Sequence, residues 1–314
     1  MKKIAFIFPG QGSQSIGMGK ELYEKFPVAK AVFDAADEAL GFSITELCFN
    51  GPEEELRKTC NTQPAILTVS IACYEVLKSH GIMPTIVGGH SLGEYSALVV
   101  AGALSFADAV RLVRKRGELM QAAVPLGEGS MAAILGLDRQ TVMDVCQQAQ
   151  EKFGAVQAVN FNCPGQIVIA GKKQAVETAA EMLKAAGAKR AVMLPVSAPF
   201  HSTLMKPAAE QLGIELSKIT VQDAVIPVVA NINGQIITDS QGIKASLEKQ
   251  ADNPVEWEDC MAQIIKSGAT TLIEVGPGKV LSALTKKINK EVTILNVEDV
   301  ASLEKTLDYL QEVH

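Results

Sequence analysis

Ser91 stands between two glycines, in Gly89-His90-Ser91-Leu92-Gly93, just after the β-branched run "TIV" and just before "LGEYSALVVAGAL". Strand, tight turn and helix in that order can make a serine a nucleophile. The turn exposes the hydroxyl, and side chains at the flanking glycines would collide. The N-terminus of the following helix offers backbone N–H groups to an oxyanion, the first from Leu92. A serine that merely caps a helix would have the same neighbours, so the reading turns on whether a base exists.

Four histidines are available: His80, His90, His201 and His314. His314 is the final residue and is expected to fray. His80 precedes Gly81 at a helix C-terminus, where positive charge suits the dipole. His90 adjoins Ser91, and neighbours on an extended chain point to opposite faces. His201, in "VSAPFHS", lies in a loop where two units of the chain meet, and by elimination it is the base. No acid is placed to complete a triad. Those between Ser91 and His201 fall on helical stretches such as "MDVCQQAQEKF" and "AVETAAEML", so another group must orient the imidazole.

The N-terminal "FPGQGSQSIGMGK" fails as a phosphate loop on spacing. Ser15 stands where G-x-G-x-x-G needs glycine, and Gln14 and Glu21 break a Walker pattern ending at Gly19-Lys20. A glycine loop closing a strand can still supply a second oxyanion donor, and the Gln11 N–H, between Gly10 and Gly12, is the candidate. Ser105 and Asp108 form a capping-box pattern, which predicts a helix from there to Ala123. At about 100° per residue, Arg111, Lys115 and Glu118 share a polar face. Ala109, Val110, Leu112, Val113, Leu119 and Met120 form an apolar arc, and Arg116 falls inside it. A buried guanidinium needs an anion. That anion is either an internal carboxylate or a substrate held bidentately.

These residues need a scaffold. The chain of 314 residues suffices for a large domain with a smaller insert, and 47% hydrophobic against 20% charged residues excludes disorder. No apolar run reaches the roughly 18 residues of a membrane span. A net charge of −6 argues against a broad nucleic-acid surface. Six cysteines without C-x-x-C or metal-ligand spacing fit a reducing, cytoplasmic setting and no metal site. "KIAFIF", "PTIVGG", "PVVANINGQII" and "TTLIEVGPG" read as strands among helical stretches, including "PAILTVSIACYEVLKSHG" and "KVLSALTKKIN". That predicts a mostly parallel sheet covered on both faces. Between them, "GSMAAILGL", "DRQTVMDVCQQAQEKF", "AVQAVNFN", "QIVIAG", "KKQAVETAAEMLKAAG" and "KRAVMLPV" run β-α-β-β-α-β, a ferredoxin-like order. The division expected is 1–123 with 198–314 as the larger unit and 124–197 as the insert.

The ordered set "FPGQGSQ", "GHSLGEYSAL", "RG" at 116–117, "NFNCPGQIVIAG", "APFHS", "NPVEW" and "VGPGKVL" resembles the malonyl-CoA:acyl carrier protein transacylase family over nearly the whole chain. The resemblance implies an α/β-hydrolase-like large domain with a ferredoxin-like insert. It also implies ping-pong transfer: Ser91 takes malonyl from coenzyme A and yields it to the phosphopantetheine thiol of acyl carrier protein. No cofactor is implied, since coenzyme A is a substrate. His201 matches the family base, and the backbone carbonyl of Gln250 matches the group that orients it. Gln11 and Leu92 match the oxyanion donors, and Arg116 the arginine that binds the free malonyl carboxylate. Asn160 and Asn162 match a pair beside the cleft, and Phe200 resembles malonyl-type rather than methylmalonyl-type enzymes. With His90, these are counted as substrate-binding. A serine esterase or thioesterase, and a non-catalytic carrier-binding module, are the competing readings. Arg116 speaks against the first, because a neutral acyl group gives it no partner. Lys172, Lys173, Lys189, Arg190, Lys286 and Lys287 are candidate contacts for an acidic carrier protein.

Overall fold

The computed structural model describes residues 3–196 and 198–312. Ser197, at the expected boundary, and His314 lie outside the described residues. Ten strands are described: β1 (Lys3–Phe8), β2 (Ile86–Gly89), β3 (Gly129–Leu135), β4 (Val156–Cys163), β5 (Gln166–Lys172), β6 (Arg190–Met193), β7 (Val228–Val229), β8 (Ile236–Ile237), β9 (Ala269–Val275) and β10 (Thr293–Val297). They form a six-stranded sheet, ordered β10-β9-β1-β2-β7-β8, and a four-stranded sheet, ordered β4-β5-β3-β6. The first is parallel except for β8, and the second is antiparallel throughout.

β1 shows why the larger sheet is covered on both faces. Its alternate residues Ile4, Phe6 and Phe8 pack with the helices Pro27–Leu40 and Thr59–Ser79. Ala5 and Ile7 face the other way, onto Trp257, Met261 and Ile264 of the helix Trp257–Lys266. The register of β1 on β2 sets Phe8 opposite Gly89. The loop after β1 therefore lies beside the turn after β2.

The smaller sheet divides its faces similarly. Ala132, Ile134 and Ile169 pack under the helices Arg139–Phe153 and Lys173–Ala185. Met131, Val168 and Ala170 face Met120, Phe200 and Met205. The insert thus turns its helix-free face toward the cleft. Backbone bonds join the two bodies where Val255 donates to the Val159 carbonyl (2.8 Å) and accepts from the Phe161 N–H (2.9 Å).

Two elements differ from the sequence reading. The long helix opens at Thr59, so Pro64 lies inside it. Proline has no N–H, which frees the Cys60 carbonyl, and Arg114 Nη1 donates to that oxygen at 3.2 Å. "PVVANINGQII" is a hairpin rather than one strand: β7 and β8 pair antiparallel around the turn 230–235. Asn231 in that turn has work elsewhere. No helix among the described residues is long and apolar enough to cross a membrane.

Candidate active site

Ser91 and His201 are the two non-glycine residues with positive φ among those described, at 51° and 61°. Strain of this kind persists only where surroundings enforce it. Around Ser91 they do. A Cβ on Gly89 would sit 2.0 Å from the Gly93 carbonyl, and one on Gly93 would sit 2.0 Å from the Phe8 carbonyl. The Ser91 N–H donates to Asn231 Oδ1 at 2.7 Å, and Asn231 Nδ2 donates to the Gly89 carbonyl at 2.7 Å. The helix Leu92–Val100 starts immediately afterwards.

Ser91 Oγ lies 2.7 Å from His201 Nε2, and His201 Nδ1 lies 2.8 Å from the Gln250 carbonyl. That carbonyl can only accept, so it sets Nδ1 as donor and leaves Nε2 free to take the serine proton. Burial, then the Arg116 charge, pushes the imidazole down to about 3, so it is neutral and able to act as a base at neutral pH. Among the described residues, neither the Gln11 nor the Leu92 N–H has a hydrogen-bond partner. The Gln11 side chain is held by Thr59, whose hydroxyl donates to Oε1 at 2.6 Å.

Arg116 is 2% exposed. Its Nη1 donates to Gln63 Oε1 (2.7 Å), and its Nη2 donates to Gln250 Oε1 (2.9 Å) and Ser91 Oγ (3.2 Å). The guanidinium lies 5.3 Å from the Tyr95 ring centroid, and among the described residues its Nε has no hydrogen-bond partner. Among the described residues no carboxylate comes within ion-pair distance of it. The alternative of a direct structural ion pair is therefore closed.

A cavity of about 120 Å³ brings together Gln11, His90, Ser91, Leu92, Arg116, Asn160, Phe200 and His201, with Gln63, Met120 and Met131. Asn160 Oδ1 is buried there with no hydrogen-bond partner among the described residues. Asn162 stands behind it, and its Oδ1 lies 2.8 Å from His90 Nε2. His90 packs on Trp257 at 5.6 Å, and burial lowers its pKa. A cleft of about 470 Å³ shares Gln11, Leu194 and Val196 with this cavity and continues past Gln14 and Arg57. A larger groove of about 750 Å³, by Arg139 and Pro254, contains neither Ser91 nor His201. Among the described residues no group of three or more His, Cys, Asp or Glu could hold a metal.

Sequence reasoning missed Gln63, Asn231 and Glu94. Glu94 carried a signal, being the one charge in the apolar helix "LGEYSALVV". Asn231 carried none, because its role depends on a turn that brings it 140 positions back to Ser91.

A parallel sheet bearing a strained serine, a neutral imidazole against its hydroxyl and two amides in the same cavity has the chemistry needed to carry acyl groups on serine. A family model described as acyl transferase domain matches residues 5–309, and the chain belongs to that family. A relative from Bacillus subtilis (strain 168), malonyl CoA-acyl carrier protein transacylase, is 53% identical over 312 residues, 99% of this chain and 98% of its own. The crystal structure of the transacylase of that name from Clostridium perfringens superimposes with a TM-score of 0.96 at 47% identity, covering 99% of this chain and 98% of its own. A malonyl-transacylase solved in complex with a type II polyketide acyl-carrier protein gives 0.95 at 46% identity, covering 98% and 99%.

Proposed function

We propose that this chain transfers malonyl from coenzyme A to the phosphopantetheine thiol of acyl carrier protein, through malonyl-Ser91, in fatty acid biosynthesis. The observation that carries the reading is Arg116: a buried guanidinium beside the nucleophile that has, among the described residues, an unused Nε–H and no carboxylate partner. The malonyl carboxylate supplies the missing anion.

In the first half-reaction Ser91 Oγ attacks the thioester carbonyl and its proton passes to His201 Nε2. The Gln11 and Leu92 N–H groups hold the oxyanion. The C–S bond breaks, and the proton goes from Nε2 to the departing sulfur. In the second, the carrier thiol gives its proton to Nε2, its sulfur attacks the ester, and Ser91 regains the proton. The pantetheine arm follows the cleft past Gln11 and Leu194. Asn160, Asn162, His90 and Phe200 shape the acyl pocket. No metal or cofactor enters these steps. We take 124–197 as the insert and 1–123 with 198–314 as the catalytic unit. Six cysteines, none in a disulfide, support a cytoplasmic setting.

The test is intact mass. Protein incubated with malonyl-CoA and no acceptor gains one malonyl group, mapped to Ser91, and Ser91→Ala gains none. His201→Ala slows both half-reactions by about 10² or more. A label on another residue ends the proposal.

A further inference from the structure

The mechanism leaves two buried acids unused, Glu274, which accepts from the Leu281 and Ser282 N–H groups, and Glu94, which lies beside the nucleophile. Glu94 is fully enclosed, on the first turn of the helix that Ser91 opens. An enclosed carboxylate is costly unless its oxygens are satisfied. Glu94 Oε2 accepts from Gln250 Nε2 at 2.7 Å and from the Asn231 N–H at 3.1 Å, and Ser246 Oγ lies 3.5 Å from Oε1.

Each of the two closer partners has a second duty. Asn231 ties down the Ser91 N–H and the Gly89 carbonyl. Gln250 offers its own carbonyl to His201 Nδ1, its Oε1 to Arg116 Nη2, and its Nε2 to the Ser91 carbonyl at 3.0 Å as well as to Glu94. A glutamine amide can turn over, exchanging oxygen and nitrogen. Here it cannot without setting N–H against the guanidinium and oxygen against the carboxylate. Glu94 therefore fixes which end of Gln250 meets Arg116, in a chain running carboxylate, amide, guanidinium.

We propose that Glu94 is a positioning residue that holds nucleophile, base-orienting carbonyl and malonyl-binding guanidinium in one register, its charge tempering the field of Arg116 on the acyl pocket. This rests on the malonyl-transfer reading. Helix-dipole compensation alone does not account for Glu94, because its bonds go to residues more than 130 positions away rather than to its own first turn.

Two variants test it. Glu94→Ala leaves two buried donors without their acceptor, so kcat falls about tenfold or more, short of the loss in His201→Ala. Glu94→Gln keeps one oxygen for both donors and restores most of kcat. At about pH 8 the native carboxyl is ionised, lying above the value of about 7 to which burial raises it. The Gln variant has no such charge, and its KM for malonyl-CoA falls about two- to fivefold. In an Arg116→Ala background that fall vanishes. An unchanged or raised KM in Glu94→Gln, or a fall that persists without the guanidinium, overturns the proposal, and these readouts stand even where Glu94→Ala does not fold. Wild type that fails to acylate Ser91 overturns the malonyl-transfer reading with it; wild type that acylates, with the Glu94 pattern absent, overturns this inference alone.

Discussion

Arg116 poses a choice that its helix alone could not resolve. Its position on the apolar arc predicted burial, and it is buried. Whether its partner was internal required the tertiary arrangement, which surrounds the guanidinium with amides and a hydroxyl. Removing the side chain deletes charge-assisted bonds worth about 1.5–3 kcal/mol. Malonyl transfer by Arg116→Ala should fall roughly ten- to a hundredfold, while acetyl transfer, which makes no such bonds, holds or improves. Steady-state rates on both thioesters for wild type and variant check this. Equal losses would mean that the arginine serves the fold. That Ser91 and His201 meet, at 2.7 Å, was legible from spacing and elimination. Gln250 was legible through family resemblance alone, because a backbone carbonyl leaves no mark in residue type.

The elbow is an element whose glycines are dictated by contact. β1 and the helix Leu92–Val100 approach so closely at Gly93 that a methyl there would displace the Phe8 carbonyl, which also receives the His90 N–H at 3.0 Å. Gly93→Ala should therefore cost about 1–3 kcal/mol or more in stability. It should also move the Leu92 amide away from the oxyanion. Thermal melting and the acylation rate of Ser91 measure the two effects separately. A variant that melts lower yet acylates normally would show that the close approach is structural and not catalytic. At this scale the sequence was readable where local rules act, as at Ser105, whose hydroxyl accepts from the Asp108 N–H and starts the helix Phe106–Ala122. It misled where tertiary contacts outvote them. Pro64 would ordinarily mark a helix start, but here Arg114 satisfies the carbonyl that the proline strands.

Across the whole molecule, two sheets with separate cores meet at the cleft, and closing it over titratable groups couples pH to folding. His201 is held neutral by burial and by Arg116, well below its ordinary value of 6.5. The unfolded chain therefore binds a proton there that the folded protein refuses. Its contribution is complete above about pH 6.5 and is lost as pH falls toward about 3. Glu94, raised to about 7, acts oppositely and weakens the fold as pH rises from 4.5. A difference measurement separates them. The melting temperature of wild type minus that of His201→Ala should drop steadily as pH falls from about 6.5 to 4. A difference flat in pH would show that His201 titrates normally when folded. The order of β-α-β-β-α-β was readable in the sequence because each strand and helix of the insert keeps its own period. The placement of its helix-free face over Ser91 was not, because no local pattern encodes which of two apolar faces meets a neighbour.

Gln250 serves four partners, one through its backbone and three through its side chain, and heredity reaches just the side chain. Any residue at that position supplies a carbonyl to His201, whereas the amide that spans Arg116 and Glu94 belongs to glutamine. Selection at that codon registers the grip on the arginine and is blind to the orientation of the base. A scan that replaces side chains one by one would credit Gln250 with acyl specificity and leave the histidine without an author.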